Sequence, residues 1–403
     1  MRFRACLFTK FVIVWLVQSS SNQLFTPKAT DVTLRMTPTS ALAPHPPTAV
    51  AAVAHRPASG RYSTRRERGR YPSTSSRRAR GSTTRTEASM ARDFHKARMT
   101  EEERFAFDLQ GFFIARGVYS ESEVAKMNAA IDARADEIIE RKGRLRLGGE
   151  AGDPLAGDGS TGRADLGGML TWENGDADLF RSVLAHEKLV PYYHELVGEG
   201  YRMDHLPLMI QQKTGADGFV FHGGRMNPDG SWCQELAYTC EGGKMYNQLL
   251  AVSVALSDTE PGDGGFAILP GSHKSAFPCP QAVLEYKSQQ HLVVNPRIKA
   301  GDVLFFTEAA THGTQAWTAK HTRRAVLYRF APSTYAYGRS YYPTWPEGTV
   351  DGMTDAQLAV LQPPHHVRLD RTTLDDQGHV AGTQTRDDFK KEHDAKVFKN
   401  RYF

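Results

Sequence analysis

The feature that most limits the fold of this 403-residue chain is a series of short apolar segments between residues 206 and 330. Turn-forming groups such as Pro270-Gly271-Ser272 and Ala300-Gly301-Asp302 separate them. Short apolar or alternating runs bounded by Gly, Pro and Asp are typical of β-strands. The predicted strands are residues 206–213, 218–221, 249–256, 265–269, 302–307 and 325–330. With helices before them, these strands predict an α+β chain centred on a jelly roll or barrel.

Two capping boxes indicate where the ordered chain begins. Thr100 precedes Glu103 and Ser120 precedes Glu123, and each pair can close the first turn of a helix. The first box leads into a predicted strand at residues 111–114, and the second opens a helix whose apolar face extends to Ile138. We predict further helices at 186–197 and 354–362. The Gly- and Asp-rich segment 143–168 is predicted to be a long loop that could cover a site.

Charge divides the chain into two parts. Residues 1–90 hold 15 Lys and Arg against 3 acidic residues, a balance of +12, whereas residues 91–403 hold 35 against 42, a balance of −7. The acidic body argues against nucleic acid as a partner of the folded domain. No apolar run reaches the roughly 20 residues that span a bilayer, so no membrane span is expected. Four cysteines are too few for a disulfide scaffold.

The basic leader has the composition of a targeting sequence. Residues 1–25 combine basic residues, a short apolar run and small polar residues, which is the layout of a secretory signal. Residues 26–98 are rich in Arg, Ser, Pro and Ala and poor in acids, which is typical of a disordered transit peptide. Together they favour an organelle, a plastid over a mitochondrion, with secretory entry. A plain disordered tail and a nucleic-acid-binding arm are the alternatives.

Histidines carry the clearest chemical signal. His222 closes the predicted strand 218–221 and precedes two glycines, while His312 follows the strand 302–307. Arg323 lies eleven residues after His312, at the start of the next strand. Two imidazoles that project into a barrel could hold a divalent iron, and a buried Arg could pair with a carboxylate. Satisfied polar residues at strand ends would give the same pattern.

The body resembles the phytanoyl-CoA dioxygenase family of Fe(II)- and 2-oxoglutarate-dependent oxygenases. The resemblance lies in residues 103–113, in the stretch 264–274 with its Pro-Gly-Ser-His sequence, and in residues 301–306 with the spacing from His312 to Arg323. It implies a double-stranded β-helix, a jelly-roll or cupin-like fold, over residues 99–337, followed by a C-terminal extension, 338–403. It also implies a dioxygenase that hydroxylates a small organic substrate and releases succinate and CO2.

The resemblance also implies roles for individual residues. His222 and His312 match the two histidines that bind iron, and Arg323 matches the residue that binds the distal carboxylate of 2-oxoglutarate. Thr314 matches a hydroxyl residue that assists Arg323. Further candidates for contact with the cosubstrate are Lys213 and Asn247. The implied cofactors are Fe(II) and 2-oxoglutarate, with ascorbate and a halide as optional additions.

One position departs from the family pattern. The family has an acid two residues after the first histidine, and this chain has Gly224 there. Three interpretations stay open. The acid comes from elsewhere, with Asp217, Asp229 and Glu235 nearest in the sequence. A halide fills the position, as in related halogenases, or the domain is a non-catalytic homologue that only binds.

Overall fold

A computed structural model describes residues 98–338, 345, 348–367, 370–383 and 386–400. The predicted signal-like segment 1–25 and the transit-like leader 26–98, except Arg98, lie outside these described residues. All described residues belong to one compact unit. Among them, no helix has the length and apolar character that crossing a membrane would require.

The described part of the chain is a mixed α+β structure in which helices precede most strands. The α-helices are α1 Glu101–Gln110, α2 Glu121–Asp132, α3 Asp178–Ser182, α4 Val190–Leu196, α5 Gln281–Leu284, α6 Asp355–Val360 and α7 Asp388–Phe398. The β-strands are β1 Phe112–Ala115, β2 Ile139–Glu140, β3 Ala164–Leu166, β4 Arg202–Gln212, β5 Phe219–His222, β6 Tyr238–Glu241, β7 Lys244–Asn247, β8 Leu250–Ala255, β9 Gly265–Ile268, β10 Val303–Thr307, β11 His312–Gln315, β12 Arg323–Ala331, β13 Arg371–Leu374 and β14 Val380–Thr383.

Both predicted capping boxes are confirmed. The side-chain oxygens of Thr100 and Ser120 accept hydrogen bonds from the backbone amides of Glu103 and Glu123, which are the third residues of α1 and α2. Each Glu side chain in turn accepts a hydrogen bond from the backbone amide of the Thr or Ser. Helix α2 is shorter than predicted, because it ends at Asp132 and Ile138 follows a separate 3-10 turn. Helix α4 is likewise shorter than the predicted helix 186–197.

Two antiparallel sheets form the centre of the molecule. The larger sheet has the strand order β1-β10-β8-β12-β4-β3-β2, and the smaller sheet has the order β5-β11-β9. The seven predicted strands, including the one at 111–114, are all present within a few residues of the expected bounds. The sequence does not predict strand β3, which lies inside the predicted loop 143–168. In the structure β3 pairs with β4 through Asp165 and Ile210.

The larger sheet packs on both of its faces. Along β8, Val252 and Val254 join the core that the helices cover, whereas Ala251 and Ala255 face the smaller sheet. This alternation follows from the two-residue period of a strand. The layer between the sheets contains side chains of both, among them Phe112, Ala251, Phe266, Ile268, Leu304 and Phe306. The candidate site lies at the edge of this layer.

Candidate metal centre and its surroundings

The register of the smaller sheet brings His222 and His312 together. His222 on β5 is the direct cross-strand partner of His312 on β11, and their ring centroids are 4.4 Å apart. Gly223 allows β5 to approach the turn before β11, because a Cβ at this position would lie 2.7 Å from the carbonyl oxygens of Glu308 and Ala310. The two histidines predicted from the sequence therefore meet at one end of the sheet.

Hydrogen bonds fix the same tautomer in both rings. Nδ1 of His222 lies 3.1 Å from the carbonyl oxygen of Val220, and Nδ1 of His312 lies 2.8 Å from that of Ala310. A carbonyl oxygen only accepts, so each Nδ1 carries the proton and donates it. Each Nε2 then keeps its lone pair, which is the arrangement that hydrogen-bonding partners impose on metal-binding histidines.

Glu308 supplies the carboxylate that Gly224 does not. One nitrogen of each histidine and one carboxylate oxygen of Glu308 lie within 4.8 Å of one another. Among the described residues, this is the only such group of three His, Cys, Asp or Glu residues. Glu308 lies in the turn between β10 and β11, and its Oε2 is 3.6 Å from Nε2 of His312. Its Oε1 accepts a hydrogen bond from Nε of Arg329.

An acid from elsewhere in the chain lies beside the histidines, as the first of the three interpretations expects, but it is none of the three carboxylates nearest to Gly224 in the sequence. Asp217 is buried and forms an ion pair with the partly exposed Arg146. Asp229 accepts hydrogen bonds from Ser231 within a turn. Glu235 is exposed and lies 3.7 Å from the thiol of Cys233. Closeness in the sequence does not identify the acid, because Glu308 lies in the connection between β10 and β11.

The environment keeps both histidines neutral and Glu308 charged. Burial, together with the neighbouring His312, lowers the pKa of His222 to about 3. Burial also lowers the pKa of His312, although Glu308 acts in the opposite direction. Burial alone would raise the pKa of Glu308, but Arg329 and His312 outweigh it and lower the pKa to about 2. Neutral imidazole and carboxylate are the protonation states that bind metal ions.

The backbone at Gly224 is unsuited to a carboxylate side chain. Its φ is +105°, and a Cβ would lie 3.0 Å from Oγ1 of Thr311. L-residues rarely adopt this conformation, so an acid at position 224 would be strained. The departure from the family motif is therefore built into the local backbone.

Arg323 is a buried cation in the layer between the sheets. Arg323 is 7% exposed, and its Nη1 donates a 3.0 Å hydrogen bond to Oε1 of Gln212. Within the described part of the chain, no carboxylate forms an ion pair with Arg323. Gly265 allows this burial, because a Cβ there would lie 2.7 Å from Nε of Arg323. Burial, followed by the proximity of Arg163, lowers the pKa of Arg323 to about 10. The cavity beside it measures about 10 Å³, room for one water molecule.

The other predicted residues lie in different surroundings. Thr314 is on β11, two residues after His312, and pairs with Phe219 and Phe266. Lys213 is exposed and lines a cleft of about 280 Å³ with Gln211 and Arg324. The side-chain amide of Asn247 is fully buried and donates a 2.7 Å hydrogen bond to the carbonyl oxygen of Leu196, a contact that joins β7 to α4.

A second group of charges lies near the histidines, and no motif in the sequence predicts it. We call Arg141, Arg163 and Asp165 the arginine cluster. Nε of Arg163 is 2.9 Å from Oδ1 of Asp165, and Nε of Arg141 is 2.5 Å from Oδ2. Both guanidiniums lie over the ring of Phe219, whose centroid is 5.1 Å from that of His222. Only the pairing of β2, β3 and β4 brings these residues to the site.

Several solved structures are similar to this chain. HygX from Streptomyces hygroscopicus, with nickel and 2-oxoglutarate bound, is 19% identical with a TM-score of 0.48, over 62% of this chain and 94% of HygX. SnoK, a non-heme α-ketoglutarate-dependent carbocyclase from nogalamycin biosynthesis, is 17% identical with a TM-score of 0.42, over 60% and 88% of the two chains. AviO1 from Streptomyces viridochromogenes Tue57 is 17% identical with a TM-score of 0.42, over 59% and 96%. No curated protein matches the chain.

The family resemblance predicted from the sequence is confirmed. The sequence profile described as phytanoyl-CoA dioxygenase (PhyH) matches residues 107–325, which is more than half of the chain. The match includes β5, β11 and the first residues of β12, and so it includes His222, Glu308, His312 and Arg323. The chain therefore belongs to the phytanoyl-CoA dioxygenase family, a family of 2-oxoglutarate-dependent dioxygenases.

Proposed function

We propose that this chain is an Fe(II)- and 2-oxoglutarate-dependent oxygenase that hydroxylates a small organic substrate and releases succinate and CO2. The observation that carries the proposal is the convergence of His222, Glu308 and His312 within 4.8 Å. The larger sheet and the smaller sheet would then be the two halves of a double-stranded β-helix, with the metal at one end of the smaller sheet.

The donor set fits iron. Two imidazoles and one carboxylate on one side of a metal, with open positions opposite, are typical of Fe(II) oxygenases. The tautomers of His222 and His312 direct both Nε2 lone pairs to the metal. Arg329 holds Oε1 of Glu308, which leaves Oε2, the oxygen nearer His312, for the metal. When bound, the iron supplies the activation of dioxygen that an oxygenase requires.

Arg323 would bind the distal carboxylate of 2-oxoglutarate. Its guanidinium is buried without a carboxylate partner among the described residues, and burial of an unpaired charge is costly unless a ligand compensates it. A planar guanidinium can bind a carboxylate through two parallel hydrogen bonds. Because the adjacent cavity is only about 10 Å³, Arg323 and its neighbours must move to admit the ligand. Thr314, on the same strand as His312, is the hydroxyl group proposed to assist.

Aromatic residues enclose the metal ligands. The ring centroid of Phe306 lies 4.6 Å from that of His312, and the centroid of Phe266 lies 6.3 Å from it. Their rings exclude water from this side of the site, which strengthens the electrostatic interactions of Glu308 and Arg323.

Glu308 also bears on the choice between hydroxylation and halogenation. A halide would bind where the carboxylate ligand is missing, whereas here a carboxylate lies beside both histidines. This supports hydroxylation over halogenation. The non-catalytic alternative predicts that no 2-oxoglutarate is consumed.

The test is conversion of 2-oxoglutarate to succinate by the full chain with Fe(II), ascorbate and air, and with chloride present or absent. We expect succinate from the wild type and a loss of at least about 100-fold in Glu308→Ala, since three ligands hold the metal. Glu235→Gln is the matched control, because Glu235 is nearer to Gly224 in the sequence but exposed. Equal losses in both variants, or unchanged turnover in Glu308→Ala, would contradict the assignment. Chloride-dependent chlorinated product would favour the halogenase.

A further inference from the structure

The arginine cluster has one carboxylate for two guanidiniums. Asp165 uses Oδ1 for Arg163 and Oδ2 for Arg141, so that Arg163 shares its carboxylate partner with a second guanidinium. The two arginines lie on neighbouring strand segments, where the amide of Arg141 donates to the carbonyl oxygen of Arg163. Like charges in such proximity repel unless anions balance them.

Arg163 is the member with hydrogen-bonding capacity to spare. Arg163 is 8% exposed, and the only hydrogen bond from its side chain to any described residue runs from Nε to Asp165. A guanidinium has five N–H donors, so the four on the two Nη atoms have no acceptor in the described protein. Both Nη atoms keep contact with solvent, so an anionic ligand that enters the site can replace that water.

The position of Arg163 suits contact with a substrate of the metal centre. Its guanidinium carbon lies 5.6 Å from the ring centroid of Phe219, and that centroid lies 5.1 Å from the ring of His222. The two distances together place the guanidinium within about 10.7 Å of the His222 ring. A small organic molecule can span this separation.

Arg163 and Arg323 lie close enough for their charges to interact, and the cosubstrate brings a single distal carboxylate to the two of them. Under the proposed function, the two positive charges of Fe(II) and the two negative charges of 2-oxoglutarate cancel. The distal carboxylate of 2-oxoglutarate binds Arg323, and Arg329 is already paired with Glu308. Burial, opposed by Asp165 and reinforced by Arg141 and Arg329, lowers the pKa of Arg163 to about 10, so Arg163 stays charged at neutral pH.

We propose that the substrate carries a carboxylate or phosphate group, and that Arg163 binds this group while Phe219 contacts the adjoining carbon atoms. This inference rests on the proposed oxygenase function, because it takes the metal centre as the reacting end of the site. Arg163 sets the specificity for an anionic substrate, and the paired contact with Asp165 holds its guanidinium in place.

The experiment measures binding without turnover. The full chain is loaded with Zn(II) in place of Fe(II) and with 2-oxoglutarate, and it is titrated calorimetrically with butanoate, methyl phosphate and butanamide. We expect the better of the two anions to bind at least about tenfold more tightly than the uncharged amide, as a charge-assisted hydrogen bond implies. The preferred anion then distinguishes a carboxylate substrate from a phosphate substrate.

Variants assign the effect to Arg163. In Arg163→Gln the preference for the anion should fall to within about twofold when both proteins are compared at saturating 2-oxoglutarate. Arg163→Lys, which keeps the charge but not the fork, should retain part of the preference. Arg297→Gln is the control, because Arg297 is an exposed arginine paired with Glu260 on the surface.

The outcomes separate this inference from the proposed function. If the wild type binds neither Zn(II) nor 2-oxoglutarate, the proposed function fails. If it binds both but binds anion and amide equally, or binds neither probe, the anionic substrate is wrong. If the preference persists in Arg163→Gln, the assignment to Arg163 is wrong. A purely structural role for Arg163 would lower stability in both Arg163 variants without changing the preference for the anion.

Discussion

The two sheets on either side of the site contribute different chemistry. The smaller sheet provides His222 and His312, whose pKa values are lowered so that they are neutral. The larger sheet provides charged side chains, with Arg323 and Arg329 on β12 and the arginine cluster at the β2–β3 end. Glu308 lies in the connection between the sheets. The histidines need only the correct tautomer, which their own segments of backbone can impose. The buried charges need partners of opposite charge, and these come from other strands.

Hydrogen bonding shows the same contrast. Each histidine donates from Nδ1 to the carbonyl oxygen two residues earlier in its own segment, at Val220 and Ala310. Glu308 instead binds Arg329, 21 residues later in the sequence. The neutral half of the metal centre is therefore held by its own backbone, and the charged half depends on tertiary packing.

The largest effect should come from breaking the charged half. Arg329→Gln removes the cation that pairs with buried Glu308, and we expect it to lower the free energy of unfolding of the metal-free protein by about 3 kcal/mol. Glu308→Gln should cost a similar amount, since it leaves Arg329 unpaired. The double variant should recover part of the loss, because no uncompensated charge remains. Urea unfolding of all four proteins gives the coupling energy, and strictly additive losses would show that the two residues do not interact.

Breaking the neutral half should affect metal binding more than folding. His312→Ala removes one of three ligands, and we expect the affinity for Co(II) to fall by about 100-fold, since ligands of a zinc site contribute about 3 kcal/mol each. Calorimetry with Co(II) measures the change. His379→Ala is the control, because the side chain of His379 is 78% exposed. Equal Co(II) affinity in both variants would exclude His312 as a ligand.

How far the sequence could predict the site follows from this contrast. His222 and His312 stand out locally, because each lies beside an apolar segment that reads as a strand. The absence of an acid at Gly224 is also visible in the local sequence, two residues after His222. Glu308 is 84 positions further along the chain, and only the pairing of β5 with β11 brings it back. The available signal was an acid flanked by Phe306-Thr307 and Ala309-Ala310, since an isolated acid in apolar surroundings needs a partner.

The fold shows the same limit. Strands such as β8 and β10 are apolar on both faces and were predicted within one residue of their bounds. Strand β3 has three residues in a Gly- and Asp-rich segment, and it exists because β4 offers an edge for pairing. Local propensity does not encode such a strand. Because Asp165 belongs to β3, the arginine cluster could not be predicted either.

The smallest predicted effect separates the two halves by pH. The pKa of His222 is about 3 in the folded protein against 6.5 for the free side chain, so below pH 6.5 the unfolded state gains a proton that the folded state does not. The contribution of His222 to stability should therefore fall as the pH is lowered from 7 to 5.5, by about 1.4 kcal/mol for each pH unit below 6.5. Glu308 does not contribute in this window, because its pKa is lowered from 4.5 to about 2 and its effect is lost only below pH 4.5. Urea unfolding of metal-free His222→Asn should show a shallower pH dependence than the wild type. The remaining slope comes from the other histidines whose pKa values are lowered, namely His186, His194, His205, His273, His312 and His365. His379→Asn should keep the wild-type slope, and an unchanged slope in His222→Asn would mean that His222 is not held neutral by the fold.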